Sequence, residues 1–101
     1  MSKYGAIVGD PEVGVIGTSS GQASQDMAEQ KATSDCKAKG GQKCELAIAY
    51  GNKCVSLVSG ASFYNIQTGL TLQEAENNAM RECSDKDCRV LYSDCSDASR
   101  Y

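Results

Sequence analysis

The chain has 101 residues, with 10 Lys and Arg, 13 Asp and Glu, no His and a net charge of -3. That length suits one domain, or two small repeats sharing one core, and the mild acidity argues against a nucleic-acid partner, which selects a basic patch. Without histidine the chain cannot build a Ser-His-Asp triad, a Cys-His pair or a histidine metal site, and no apolar run approaches the roughly 20 residues of a membrane helix.

In chain order, Tyr4 to Val8 reads as a first strand, Asp10-Pro11-Glu12 as a turn and Val13 to Gly17 as the returning strand. Ser24 then caps a helix with Asp26 in its first turn, where the helix dipole favours a negative charge. Ala28, Ala32 and Cys36 recur every four residues and share one face. Gly40-Gly41 supplies the stop. In the strand from Cys44 to Tyr50, alternation predicts Leu46 and Ile48 buried, with Glu45 and Ala47 on the other side. Cys54 to Ser59 and Ser62 to Gln67 read as a hairpin about Gly60. Thr71-Leu72-Gln73-Glu74 matches a capping box that opens a second helix, with Ala75, Ala79 and Cys83 on its inner stripe. The last strand runs from Cys88 to Tyr92, with Val90 expected inside and Arg89 outside, and a polar tail follows from Ser93.

The chain repeats itself. AEQKATSDC at Ala28 and AENNAMREC at Ala75 both fit A-E-x-x-A-x-x-x-C, and Ser24 aligns with Thr71. Repeat one covers about 4–50 and repeat two about 54–95 of a single domain, 1–101. The expected fold is α+β, with two pseudo-symmetric strand-strand-helix-strand repeats forming a two-layer, disulfide-stapled domain. Alanine stripes bring helix and sheet close but bury little area, so a core of this kind needs staples.

Six cysteines in so short a chain read as a disulfide framework made in an oxidising compartment. Of 15 possible pairings, repeat symmetry selects Cys36–Cys44 and Cys83–Cys88, each joining a helix end to the next strand. Cys54 and Cys95 remain as the third pair. Zinc is disfavoured, because Cys83 and Cys88 form the only pair with suitable spacing and histidine is absent. The start, MSKYGAIVGDPE, is broken by Asp10, Pro11 and Glu12 before an apolar leader core can form. It reads as the beginning of a mature periplasmic or secreted chain.

The paired A-E-x2-A-x3-C helices, each followed by a cysteine-led strand, resemble the bacterial family known as domain of unknown function 4189. The resemblance runs from about Tyr4 to Cys95. It is carried by Tyr4-Gly5-Ala6-Ile7, Ala28-Glu29, Ala32, Cys36, Cys44, Cys54, Ala75-Glu76, Ala79, Cys83, Cys88 and Cys95. It implies an exported bacterial protein with two such units. The family's hairpins often carry tryptophan before a glycine, where this chain has Ile16-Gly17. No catalytic residue carries over from the family.

Candidate chemistry is sparse. Asp26, Glu29, Glu74 and Glu76 read as solvated or dipole-complementing helix residues. Asp85, Asp87, Asp94 and Asp97 lack the Gly and Glu of an EF-hand loop. Gly17-Thr18-Ser19-Ser20-Gly21 matches the letters of a nucleophile elbow without a histidine base, and reads as a flexible loop of small residues. Ser34-Asp35-Cys36-Lys37 matches S-x-x-K without its companion motifs. No catalytic residue, cofactor or metal is therefore expected.

Recognition remains. The expectation is an extracytoplasmic protein-binding module, in its most specific version an inhibitor or immunity-type protein that occludes a toxic or lytic enzyme. A basic target would suit the chain's acidity through electrostatic steering. The alternatives are a secreted effector or surface factor acting on a host or rival cell, and an enzyme with an unrecognised carboxylate site. Contact residues chosen on side-chain size and strand position are Phe63, Tyr64, Arg89 and Leu91.

Overall fold

The structure, a computed structural model, describes residues 3–60, 64–83 and 87–96. The elements in order are β1 (Tyr4–Asp10), β2 (Val15–Gln22), α1 (Gln25–Ala38), β3 (Glu45–Gly51), β4 (Lys53–Ser59), β5 (Tyr64–Gly69), α2 (Leu72–Arg81) and β6 (Arg89–Ser96). The expected strand-strand-helix-strand order therefore occurs twice. The strands form two sheets of three, ordered β2-β1-β3 and β5-β4-β6. The chain divides into two compact units, one running up to Asn52 together with Ser96, the other being Lys53–Cys95.

In the first unit β1 is central and pairs antiparallel with β2 and with β3. The turn after β1 closes through the Gly14 N–H, which donates to the Asp10 carbonyl at 2.8 Å, with Gly14 at φ 80°. Ser24 caps α1, its Oγ accepting from the Met27 N–H at 3.2 Å. At the other end Gly40 adopts φ 102°, its N–H donating to the Lys37 carbonyl, while the Gly41 N–H donates to the Cys36 carbonyl. These two bonds satisfy carbonyls that the helix leaves open. Ala28, Ala32 and Cys36 are fully buried and pack with Ala6 and Val8. Gly17 on β2 lies directly under α1, where a Cβ would run into the Ala32 carbonyl and the Cys36 backbone nitrogen. The small residues on both surfaces are what permit this approach.

In the second unit β4 is central. It pairs antiparallel with β5, Cys54 opposite Gly69 and Ser59 opposite Tyr64. Thr71 caps α2, its Oγ1 accepting from the Glu74 N–H at 3.0 Å. Ala75 and Ala79 are fully buried, and Gly69 gives Ala75 the room that Gly17 gives α1. All three disulfides are those expected from the repeat: Cys36–Cys44, Cys54–Cys95 and Cys83–Cys88. No cysteine is left free.

Four readings of the sequence need correction. Leu46, expected inside, is 48% exposed. The ladder pairs Ile7 with Ile48 but Val8 with Leu46, so one extra residue, Ala47, enters β3 at that point. This bulge breaks the period of two and separates Leu46 from the face that carries Ile48 and Tyr50. Val90, also expected inside, is 40% exposed, because β6 is an edge strand whose burial begins only near Cys95. Finally, residues 17–21 are not a loop, and Ser93 does not open a tail. The first segment lies within β2 and Ser93 lies within β6.

Candidate functional site

Two cross-strand links join β4 and β6 toward the Cys54 end of the second sheet, opposite the end that carries Ser59. Cys54 is bonded to Cys95, and the Ser93 hydroxyl donates to the Ser56 hydroxyl at 3.1 Å. The two pairs share one antiparallel register. A bulge-free continuation of that register sets Leu91 opposite Val58, Val90 opposite Ser59 and Arg89 opposite Gly60, in keeping with the hollow that Ser59, Gly60 and Arg89 share. Since Ser59 also faces Tyr64, the side chains of Tyr64, Ser59 and Val90 form a row across all three strands. Tyr64 is 59% exposed.

Arg89 and Leu91 stand on the opposite face, the one that α2 covers. The helix lies over β4 and β5, with the Asn65 amide donating to the Ala79 carbonyl at 2.8 Å and the Asn78 amide to the Thr68 carbonyl at 3.1 Å. It leaves the start of β6 open, and Leu91 is 51% exposed there. A hollow of about 340 Å³ lined by Ser59, Gly60, Asp87 and Arg89 opens at the same place.

Three of the four contact residues read from the sequence, Tyr64, Arg89 and Leu91, thus meet at one sheet end, although Tyr64 takes the other face. Phe63 lies outside the described residues. Sequence reasoning missed Val90, which joins Tyr64 in the exposed row. The available signal was its place just after a short cystine loop, at the start of a strand.

A larger open hollow of about 560 Å³ between β2 and α1 is polar, with Thr18, Ser19, Lys31 and Asp35 among its lining. Two of its groups, Ser19 and Asp35, are committed to the fold. The Ser19 hydroxyl donates to the Ala28 carbonyl at 2.6 Å, which ties down the serine of the elbow-like motif. The Thr18 N–H and the Lys39 ammonium both reach Asp35 Oδ2 at 3.0 Å, and together they hold its carboxyl below the ordinary value.

Asp10 is the other displaced carboxyl. It is buried, and four backbone N–H groups converge on it: Lys43 and Gln42 on Oδ2, Val13 and Glu12 on Oδ1. Those donors, Lys43 foremost, pull its pKa down against the opposing effect of burial. The arrangement ties the β1–β2 turn to the segment before β3 and leaves the carboxylate no access to a substrate. Among the described residues, no three Cys, Asp or Glu side chains gather in a way that could hold a metal ion. No helix among them is long and apolar enough to cross a membrane. Three disulfides fit folding in an oxidising, extracytoplasmic compartment.

No curated protein matches the chain. Among solved structures, the NMR structure of Rv1813c from Mycobacterium tuberculosis is similar, with a TM-score of 0.72 and 29% sequence identity over 92% of this chain and 74% of that one. The family model described as domain of unknown function DUF4189 matches residues 4–95, and the chain belongs to that family.

Proposed function

We propose that this protein is a periplasmic or secreted binding module that recognises another protein and catalyses nothing, acting as an inhibitor or immunity-type protein that occludes a toxic or lytic enzyme. The observation that carries the reading is the exposed end of the second sheet, where Tyr64, Val90 and Leu91 present apolar area beside Arg89. Tyrosine and arginine are enriched where binding energy concentrates. Asp10 is occupied by backbone donors, and Asp35 by the Thr18 N–H and the Lys39 ammonium, which supports a structural use for both.

The test is capture with the oxidised protein from extracytoplasmic extract of the native organism, followed by an activity assay of the captured enzyme. Stoichiometric loss of that enzyme's activity supports occlusion. Capture that leaves the enzyme fully active removes the inhibitor reading. A turnover activity of the purified protein, abolished by Glu76→Gln, removes the non-enzyme reading.

A further inference from the structure

The three disulfides differ in how an external thiol can reach them. Exchange needs a thiolate to approach one sulfur in line with the bond it breaks, so access decides which bridge reacts. Cys54 and Cys95 are 2% and 5% exposed, and both ends of that bridge are closed to solvent. Cys36 is fully buried and its partner Cys44 half-buried, but the Gly41 backbone lies against both sulfurs of that bridge, where a Cβ would come within 2.6 Å of each. Cys83 and Cys88 are both only half-buried.

The two sulfurs of that last bridge are unequal. Cys83 follows Glu82, the C-cap of α2, and its N–H still donates to the Met80 carbonyl at 3.0 Å. The negative end of the helix dipole and the adjacent carboxylate disfavour a thiolate there. Cys88 lies outside the helix between Asp87 and Arg89, whose opposite charges offset, so it escapes the penalty that the helix end places on Cys83. The better leaving group is therefore Cys88.

We propose that the Cys83–Cys88 disulfide is an exchange site for low-molecular-weight thiols, in which the incoming thiolate bonds to Cys83 Sγ and Cys88 leaves as the thiolate. One S–S bond breaks as another forms, and the incoming thiol is the only co-reactant. The bridge spans 5 residues of sequence and connects the end of α2 to the start of β6. Opening it releases the strand start that carries Arg89 and Leu91. The proposal stands independently of the binding reading.

The test treats the oxidised, full-length protein with graded reduced glutathione, quenches in acid, alkylates and digests with trypsin. Lys86 lies between the two cysteines, so the digest reports them on separate peptides. The first product expected carries glutathione on Cys83 and alkyl on Cys88, with the other two bridges intact and the far-UV circular dichroism unchanged. First modification at Cys36, Cys44, Cys54 or Cys95, or simultaneous opening of all three bridges, overturns the proposal. Glutathione found first on Cys88 overturns its direction.

Discussion

Tyr50 lays its phenol ring across Gly5, its partner in the β1–β3 ladder. One residue along, Tyr4 does the same across Gly51. Each tyrosine covers the backbone that its glycine leaves bare, so the end of this ladder is held by two reciprocal aromatic–glycine pairs. A Cβ at Gly5 would come within 2.5 Å of the Tyr50 ring and 2.7 Å of the Ser19 carbonyl oxygen.

Gly5→Ala should therefore destabilise the fold by about 1–3 kcal/mol, as overpacking does. Gly9→Ala is the control on the same strand, because its nearest neighbours stand at 3.8 Å. It should stay within about 0.5 kcal/mol of the parent. Urea denaturation of both variants decides the matter. Equal effects would show that crowding at Gly5 by the Tyr50 ring and the Ser19 carbonyl is not the obstacle.

Removing disulfides one at a time should give a graded loss. Cys54–Cys95 closes a sequence separation of 41, against 5 for Cys83–Cys88. The chain-entropy model assigns about 4 kcal/mol to the long closure and about 2 kcal/mol to the short one. Double alanine variants compared by thermal unfolding should keep that order. A reversed order would mean that native-state packing, and not loop closure, dominates.

Stability should fall on acidification in a definite window. Asp10 and Asp35 both have folded pKa values below the ordinary 3.8. The unfolded chain therefore takes up protons first. Their stabilisation is complete at pH values well above 3.8 and is lost as pH drops through the lower folded values. Asp10→Asn should lower stability at neutral pH and flatten the acid limb of the stability curve. Asp35→Asn should do less, since its side chain is 37% exposed. An unchanged acid limb in Asp10→Asn would refute the assignment.

Tyr64→Ala and Val90→Ala should each weaken partner binding by about 1–4 kcal/mol if the exposed row is a hot spot. Both side chains are substantially exposed, so fold stability should change by about 0.5 kcal/mol or less. Calorimetric titration against the captured partner, alongside thermal melts, separates the two effects. Normal binding by both variants would move the contact surface elsewhere.

The repeat, both helix caps and all three cystine pairs were legible in the sequence because each rests on local spacing. Ser24, Thr71 and the two A-E-x-x-A-x-x-x-C stripes announce themselves within a few turns of helix. The exposure of Leu46 was not legible. Its side is set by an extra residue opposite β1, and a bulge leaves no mark when the surrounding residues are all strand formers. Residues 17–21 misled for a different reason. A run of Gly, Thr and Ser resembles a loop, yet here smallness serves the approach of α1, and a hydroxyl is held by a helix carbonyl. The exposed row at Tyr64 and Val90 depends on which strands are edges, which is a property of topology and not of composition.

The carboxylate of Asp10 has a consequence for how this chain tolerates change in length. It holds backbone from residues 12–13 with one oxygen and from residues 42–43 with the other. Two loops that are remote in sequence thus answer to a single anchor. Inserting or deleting residues in either one shifts donors that the other cannot replace. Grafting a relative's turn into this protein would succeed only if the companion segment were transplanted with it, as one discontinuous unit.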